Sequence, residues 1–285
     1  MLEQRLAPDA HEPPATGWHS GLFFPVKCFP VKIGAAQGPD GAEREAMEIF
    51  SMEGWYVLWR WLHVLAGITW IGMLYYFNFV QTPYFGTELG GTAKSAMTRG
   101  LVPNALWWFR WGAMFTFISG LLILLTKWGH EGVPLGSGYM TLILTGALMG
   151  TLMFLNVWLV IWPAQQVVIA NAETVAGGGE ANPEAAGRAA RAGLASRTNT
   201  LFSIPMLFFM VAAANFPRLV EGLGTGQANL SLYWIVALIV IFAVEVNCLV
   251  GTGQGRQKPL GTVSGTIHAG LGLTLVLYIL MSIFL

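Results

Sequence analysis

Charged residues are scarce in this chain, and their scarcity decides its class. Asp, Glu, Lys and Arg make up 11% of the 285 residues, whereas 54% are hydrophobic. A soluble domain carries about 25% charged residues. The composition therefore predicts an integral membrane protein. The formal net charge is zero, so total charge gives no sign of an acidic partner, and we expect the lipid bilayer but no nucleic acid as a partner.

Cysteine is nearly absent as well. Cys28 and Cys248 lie far apart in unlike surroundings, so they predict neither a disulfide framework nor a cysteine-rich metal site. No CxxCH motif occurs in the sequence, and we therefore expect no haem attached covalently to this chain.

The first 46 residues lack the long apolar runs of the rest. They are polar and rich in proline, without an unbroken apolar stretch of signal-peptide length. Two interpretations remain open: a disordered tail, or a start codon assigned too early, with Met47 or Met52 as the true start. Either one leaves residues 47–285 as the membrane domain.

Long apolar segments dominate the remainder and predict an all-α, polytopic membrane bundle of about six transmembrane helices. A long loop is expected between the third and fourth segments, from Pro163 to Ser196. The six segments lie at roughly 55–80, 104–127, 139–162, 200–216, 230–250 and 262–285.

Lysine and arginine are distributed unevenly among the loops, which predicts the orientation. The second and fourth loops hold Lys127 and Arg218 only. The positive-inside rule places the odd loops in the cytoplasm and both termini of the membrane core in the periplasm or exterior. The odd loops hold Lys94, Arg99, Arg188, Arg191, Arg197, Arg256 and Lys258.

Several ionisable and amide side chains fall inside the predicted segments, where they are costly and usually face the bundle interior. Helix rise puts Glu245 and His268 at one depth, near the cytoplasmic side. A structural role as hydrogen-bonding partners between helices remains the alternative for each residue. This inner polar layer comprises Arg110, Asn156, Gln165, Gln166, Asn199, Ser203, Glu245, Asn247 and His268.

His63 lies inside the first segment, in the half nearer its outer end, beside the small residues Ala66 and Gly67. An intramembrane imidazole between aromatic residues can ligate iron, so we predict a b-type haem with His63 as metal ligand. Arg60, one turn nearer the surface, would pair with a propionate, unless it only snorkels to the headgroups. A haem shared with His268 is disfavoured, because the estimated depths differ by roughly 15 Å.

Four segments, in order, resemble one known family: "WLHVLAGITWIGMLYYFNFVQTPYF", "NVWLVIWPAQQ", "SRTNTLFSIPMLFFM" and "HAGLGLTLVLYILM". They are similar to the membrane domain of the bacterial cytochrome c-linked urate hydroxylase, or urate oxidase, from about Met52 onward. The resemblance implies a multi-pass protein of the bacterial inner membrane that oxidises a purine, urate, and passes electrons to a c-type cytochrome. In that family the cytochrome is commonly fused at the C-terminus. Because the sequence reaches Leu285 without CxxCH, either it is cut short or the acceptor is a separate protein.

Together these expectations describe a membrane urate oxidase. Glu245 or His268 is expected to take the proton from the purine, and a haem at His63 to relay electrons. Two other functions remain open: a transporter or channel for urate-like anions, and a b-haem electron-transfer subunit without a substrate site. The residues expected to hold the purine are Arg110, Asn156, Gln165, Gln166, Arg197, Asn199, Ser203 and Asn247.

Overall fold

A computed structural model describes residues 50–216, 229–251 and 255–285. This part of the chain contains no β-strand, and six of its helices are long and apolar enough to cross a membrane, which confirms the predicted all-α, multi-pass fold. The prediction for the first 46 residues lies outside the described part. The helices are α1 (Met52–Phe85), α2 (Glu88–His130), α3 (Gly138–Ala176), α4 (Ala185–Asn215), α5 (Leu230–Val250) and α6 (Val263–Phe284).

Polar side chains fix where most of these helices begin. Ser51, Thr87, Ser137, Asn229 and Thr262 each accept a hydrogen bond from the backbone N–H three residues later, at 3.0–3.3 Å. Such caps satisfy one of the free N–H groups that every helix start leaves.

The helices extend beyond the predicted apolar segments. The prediction of a long loop between the third and fourth helices is therefore wrong. Residues 163–176 continue α3 as a helix, and α4 already begins at Ala185. Hydropathy detects the part of a helix that suits hydrocarbon, whereas the Ala-rich stretch after Glu184 is favoured by helix propensity and by the packing of small residues such as Ala192 and Ala195, which are buried. The actual turn is short and contains Gly178 with φ of +83°, a left-handed conformation that favours glycine.

α4 is the central helix of the bundle. In the most apolar 18-residue stretch of α4, 61% of the residues are buried, against 17–44% in the corresponding stretch of the other five helices. It contacts α1, α3, α5 and α6. A polar stripe nevertheless runs along it, with Thr198, Asn199, Thr200 and Ser203 all fully buried. Buried polar groups need partners. Thr200 and Ser203 donate to carbonyls of α4 itself, whereas Asn199 is hydrogen-bonded to α3.

Two π-helical turns bring hydrogen-bond donors from neighbouring helices to α4. One, Tyr76–Gln81, lies within α1, and the other, Asn156–Ile161, lies within α3. Each contains an asparagine that donates a hydrogen bond to α4. A π turn inserts an extra residue into a helix and rotates its faces, and it occurs often at functional sites.

α6 packs closely on α4 through Gly270. A Cβ atom at this position would lie 2.6 Å from Ile204 Cδ1 and 2.9 Å from the Leu201 carbonyl oxygen. The backbone carbonyl cannot move away without shifting α4, so only glycine fits. By contrast, Gly272 on the same helix has nothing within 4 Å of such an atom.

We expect Gly270→Ala to destabilise the bundle by about 1–3 kcal/mol, because the added methyl group overpacks this contact. The matched variant Gly272→Ala should be neutral or slightly stabilising, since alanine favours a helix over glycine. Thermal unfolding of both variants in detergent measures the difference. Equal unfolding temperatures would contradict the close α4–α6 contact.

Candidate functional site

A buried cluster of two amides and one carboxylate joins α3, α4 and α5. Asn156 Nδ2 donates to Asn199 Oδ1 at 3.0 Å and to Glu245 Oε2 at 3.2 Å. Asn199 Nδ2 donates to the Met153 carbonyl at 2.9 Å. The three polar side chains are at most 6% exposed. The structure thus brings together three of the residues that the sequence predicts for the site.

The hydrogen-bond directions in this cluster are fixed. Both hydrogens of the Asn156 amide are used, because one goes to Asn199 and the other to Glu245. Asn199 in turn must direct its NH₂ at a backbone carbonyl and its oxygen at Asn156. Among the residues that the structure describes, Glu245 is the buried acidic side chain. A buried carboxylate held by one amide can accept a proton.

Ser203, one turn along α4 from Asn199, forms a second polar contact, with Tyr75 of α1. Its hydroxyl donates to the Thr200 carbonyl at 2.7 Å. The Tyr75 hydroxyl, 2.9 Å away, therefore acts as the donor to Ser203 Oγ. Near the other end of the stripe, Asn78 Nδ2 donates to Ser196 Oγ at 2.8 Å. Sequence reasoning missed Tyr75 and Asn78, although both lie in the first predicted span.

Two cavities open where the α1–α2 and α5–α6 connections meet the start of α4. The first, the threonine cavity, has a volume of about 290 Å³. The second, the arginine cavity, has a volume of about 320 Å³. The threonine cavity lies just below, and the arginine cavity just above, the lower limit of small-molecule sites, about 300 Å³. Polar walls of the threonine cavity come from Asn78, Thr82, Arg197, Thr262 and Thr266, and those of the arginine cavity from Arg191, Arg197 and Gln257.

Arg197 lines both cavities and is half-buried. The ion pairs found in the described part of the chain are Lys127–Glu131 at 2.5 Å and Arg188–Glu184 at 3.2 Å, so neither involves Arg197. Its guanidinium carries a positive charge at any physiological pH and presents a planar fork of donors. The junction of the two cavities is therefore suited to an anion or a carbonyl-bearing ligand.

The structure does not bring His268 to Glu245. The His268 side chain is exposed, and its Nδ1–H donates to the Ser264 carbonyl at 2.7 Å, within its own helix. Gln166 is exposed, and Gln165 and Asn247 are half-buried. The Asn247 backbone carbonyl, not its side chain, accepts a hydrogen bond from the Gln257 amide. These four side chains are not among the residues that line the two cavities.

Arg110 also lies away from the cavity walls. Its guanidinium carbon is 3.9 Å from the ring centre of Trp162, 5.1 Å from that of Trp158 and 5.8 Å from that of Trp111. Cation–π attraction accounts for this placement against the faces of the indoles.

His63 is held between α1 and α2 in one tautomer. Its Nδ1–H donates to the Thr116 carbonyl at 2.9 Å, and Ser119 Oγ lies 3.2 Å from the same nitrogen. Nε2 is then the nitrogen with the free lone pair. Gly120 lies against the ring, since a Cβ atom there would be 3.1 Å from His63 Cε1. A histidine whose other nitrogen bonds a carbonyl is the usual arrangement of a metal ligand, so His63 has the form that the predicted haem ligand requires.

The predicted propionate partner, Arg60, is exposed and lies over the Tyr56 ring at 5.5 Å. Lys127 lies 4.8 Å from the centre of the same ring. The described residues contain no cluster of three or more His, Cys, Asp or Glu side chains able to hold a metal ion. In the described residues, the feature that fits a haem is therefore the imidazole of His63. Arg60 lies nearer the surface, on the same helix.

Comparison with known proteins places this arrangement in a family. No curated protein and no solved structure matches the chain. The sequence model described as urate oxidase N-terminal matches residues 133–276, just over half of the chain. That range contains Asn156, Arg197, Asn199, Glu245 and His268. The resemblance noted from the sequence is thereby confirmed, and the chain belongs to the urate oxidase N-terminal family.

Proposed function

We propose that this protein oxidises urate at the junction of the threonine and arginine cavities. One observation carries the proposal: Arg197 lines both cavities and lies two residues from Asn199, which is bonded to the Asn156–Glu245 pair. Asn156, Asn199 and Glu245 do not themselves line either cavity. A positive, forked donor at the cavity walls and the buried carboxylate cluster are thus linked through α4, in a chain of the urate oxidase N-terminal family.

Urate is flat, anionic at neutral pH and edged by carbonyl oxygens and N–H groups. Arg197 supplies parallel donors for one carbonyl edge. The threonine hydroxyls of the threonine cavity can both donate and accept, so they suit the mixed edges of the ring. Asn78 already spends its amide hydrogens on α1 and α4, at 2.9 and 2.8 Å. Its role is to hold that wall in place while its oxygen remains an acceptor.

Hydroxylation of urate by water releases two protons and two electrons. Glu245 is the proposed proton acceptor, because it is the buried carboxylate of the described residues and is linked to α4 through Asn156 and Asn199, whereas His268 is exposed on α6. Asn156 and Asn199 fix the carboxylate, and Ser203 with Tyr75 continues the polar stripe along α4. Proton acceptance by a positioned side chain contributes about 10²–10⁴-fold to a rate.

A haem ligated by Nε2 of His63, with Arg60 near a propionate, supplies one-electron redox chemistry when it is bound. We expect His63→Ala to lose most of the haem absorbance of the purified protein, while the protein still inserts. His268→Ala is the matched control, because the histidine removed is exposed and bonds only within its own helix. Equal loss in both variants would contradict a haem held by His63 alone.

The electron acceptor in this proposal is a c-type cytochrome on the periplasmic side of the bacterial inner membrane. The positive charge of the odd loops supports this orientation. These loops and both cavities would then face the cytoplasm. Urate would enter from the cytoplasm, and electrons would leave on the opposite side. The termini of the membrane core would face the periplasm.

The experiment is to add urate to membranes that contain the protein, and to follow both urate and added cytochrome c. Oxidation predicts loss of urate and reduction of the cytochrome, neither of which occurs in membranes without the protein. A transporter predicts that sealed vesicles accumulate unchanged urate. A haem subunit without a substrate site predicts a haem spectrum that urate does not alter.

A further inference from the structure

Arg110 and Trp158 present donors without an acceptor in the middle of the α2–α3 contact. Arg110 Nε and Trp158 Nε1 are both buried, and neither has a hydrogen-bond partner. The two side chains lie together, with the Arg110 guanidinium carbon 5.1 Å from the Trp158 ring centre. Buried donors are nearly always paired in proteins, so each of these two indicates a missing acceptor.

Cation–π contact does not remove this deficit. The indoles of Trp158 and Trp162 attract the face of the guanidinium, but its N–H bonds point outward in the plane of the group. An acceptor must therefore approach edge-on. The two ion pairs of the described residues, Lys127–Glu131 and Arg188–Glu184, leave Arg110 without a carboxylate from this part of the chain.

The position of this pair indicates what the acceptor is. Trp162 lies at the end of the third predicted apolar segment, and Arg110 lies near the start of the second. Trp107 and Trp108, on the neighbouring turn of α2, are 49% and 59% exposed. Exposed indoles at the end of a span mark the lipid headgroup level. Arg110 as a whole is only half-buried, so at that level part of its side chain is accessible to the phosphates of the bilayer.

We propose that Arg110 and Trp158 bind the phosphate of a membrane phospholipid between α2 and α3. Because both donors are buried, α2 and α3 must part locally to admit the phosphate, whose oxygens then accept from the guanidinium and from Trp158 Nε1. The acyl chains lie along the exposed tryptophans of α2. Arginine forms strong, forked hydrogen bonds with phosphate. Arg110 contacts the indoles of Trp111, Trp158 and Trp162 and lines neither cavity, so this lipid site differs from the cavities at Arg197.

The test is native mass spectrometry of detergent-purified protein titrated with phosphatidylglycerol. The parent should retain one lipid more tightly than the rest. Arg110→Gln should weaken that lipid about tenfold, since a charged pair of hydrogen bonds is lost. Trp158→Phe keeps a ring and removes only the donor, and it should weaken the lipid by about threefold to tenfold. Arg99→Gln, an exposed arginine of the same helix, should match the parent.

Two results would overturn the proposal. One is a tightest lipid whose affinity is the same in the parent, Arg110→Gln and Trp158→Phe. The other is displacement of that lipid by inorganic phosphate alone, since the site would then accept a free anion. If Arg110→Gln does not fold, as shown by size-exclusion chromatography, Trp158→Phe decides the outcome by itself.

Discussion

Arg197→Gln is expected to lower kcat/KM for urate-dependent cytochrome c reduction by about 100-fold or more. The substitution removes the positive fork at the junction of the two cavities, and with it two charge-assisted hydrogen bonds to the anion. Arg197→Lys should recover part of the loss, because lysine keeps the charge but not the fork. Steady-state rates on purified membranes, at several urate concentrations, give these values.

Arg188→Gln is the matched control for that measurement. Arg188 lies on the same helix but is exposed and pairs with Glu184 at 3.2 Å. Its loss should leave the rate close to that of the parent, because an exposed ion pair on a helix contributes little. If Arg197→Gln and Arg188→Gln both oxidise urate at the parental rate, the substrate does not bind at the cavity junction.

Asn156→Leu is expected to destabilise the bundle by about 2–4 kcal/mol. The substitution leaves the Glu245 carboxylate and the Asn199 amide oxygen buried without the donor that served both. A buried acceptor that loses its donor costs the desolvation of that acceptor, and the cost is larger for a carboxylate. Thermal unfolding in detergent measures the effect. Asn104→Leu is the control, since Asn104 is exposed and bonds weakly, at 3.4 Å, to its own helix.

Glu245→Gln separates stability from chemistry in the same cluster. Glutamine can still accept the hydrogen bond from Asn156, so this variant should unfold close to the parental temperature. It cannot take a proton, and urate oxidation should therefore fall by about 100-fold or more. A fully active Glu245→Gln protein would remove Glu245 from the proposed mechanism. An Asn156→Leu protein as stable as the Asn104→Leu protein would show that the cluster contributes little to folding.

The six helices were predictable because each span needs about 20 apolar residues, and such runs are plain in the sequence. Their ends were not. α2 begins at Glu88, long before the apolar run near 104, and α4 begins at Ala185. Helix formation outside hydrocarbon depends on propensity and capping, which a hydropathy profile does not record.

The candidate site was predictable in part for a related reason. Helix rise gives the depth of a residue but not the direction in which its side chain points. Glu245, Asn156 and Asn199 share a depth and face one another, whereas His268 is exposed and faces away. Asn78 escaped notice because the π turn that directs it at α4 has no simple signature in sequence.

In the proposed function, urate loses electrons at this chain and a cytochrome receives them. The most direct measurement is the ratio of cytochrome c reduced to urate consumed, in membranes containing the protein and without oxygen. Two-electron hydroxylation by water predicts about two cytochromes reduced per urate, since each takes one electron. Urate that disappears from the medium unchanged, with no cytochrome reduced, would contradict the account and identify a transporter instead.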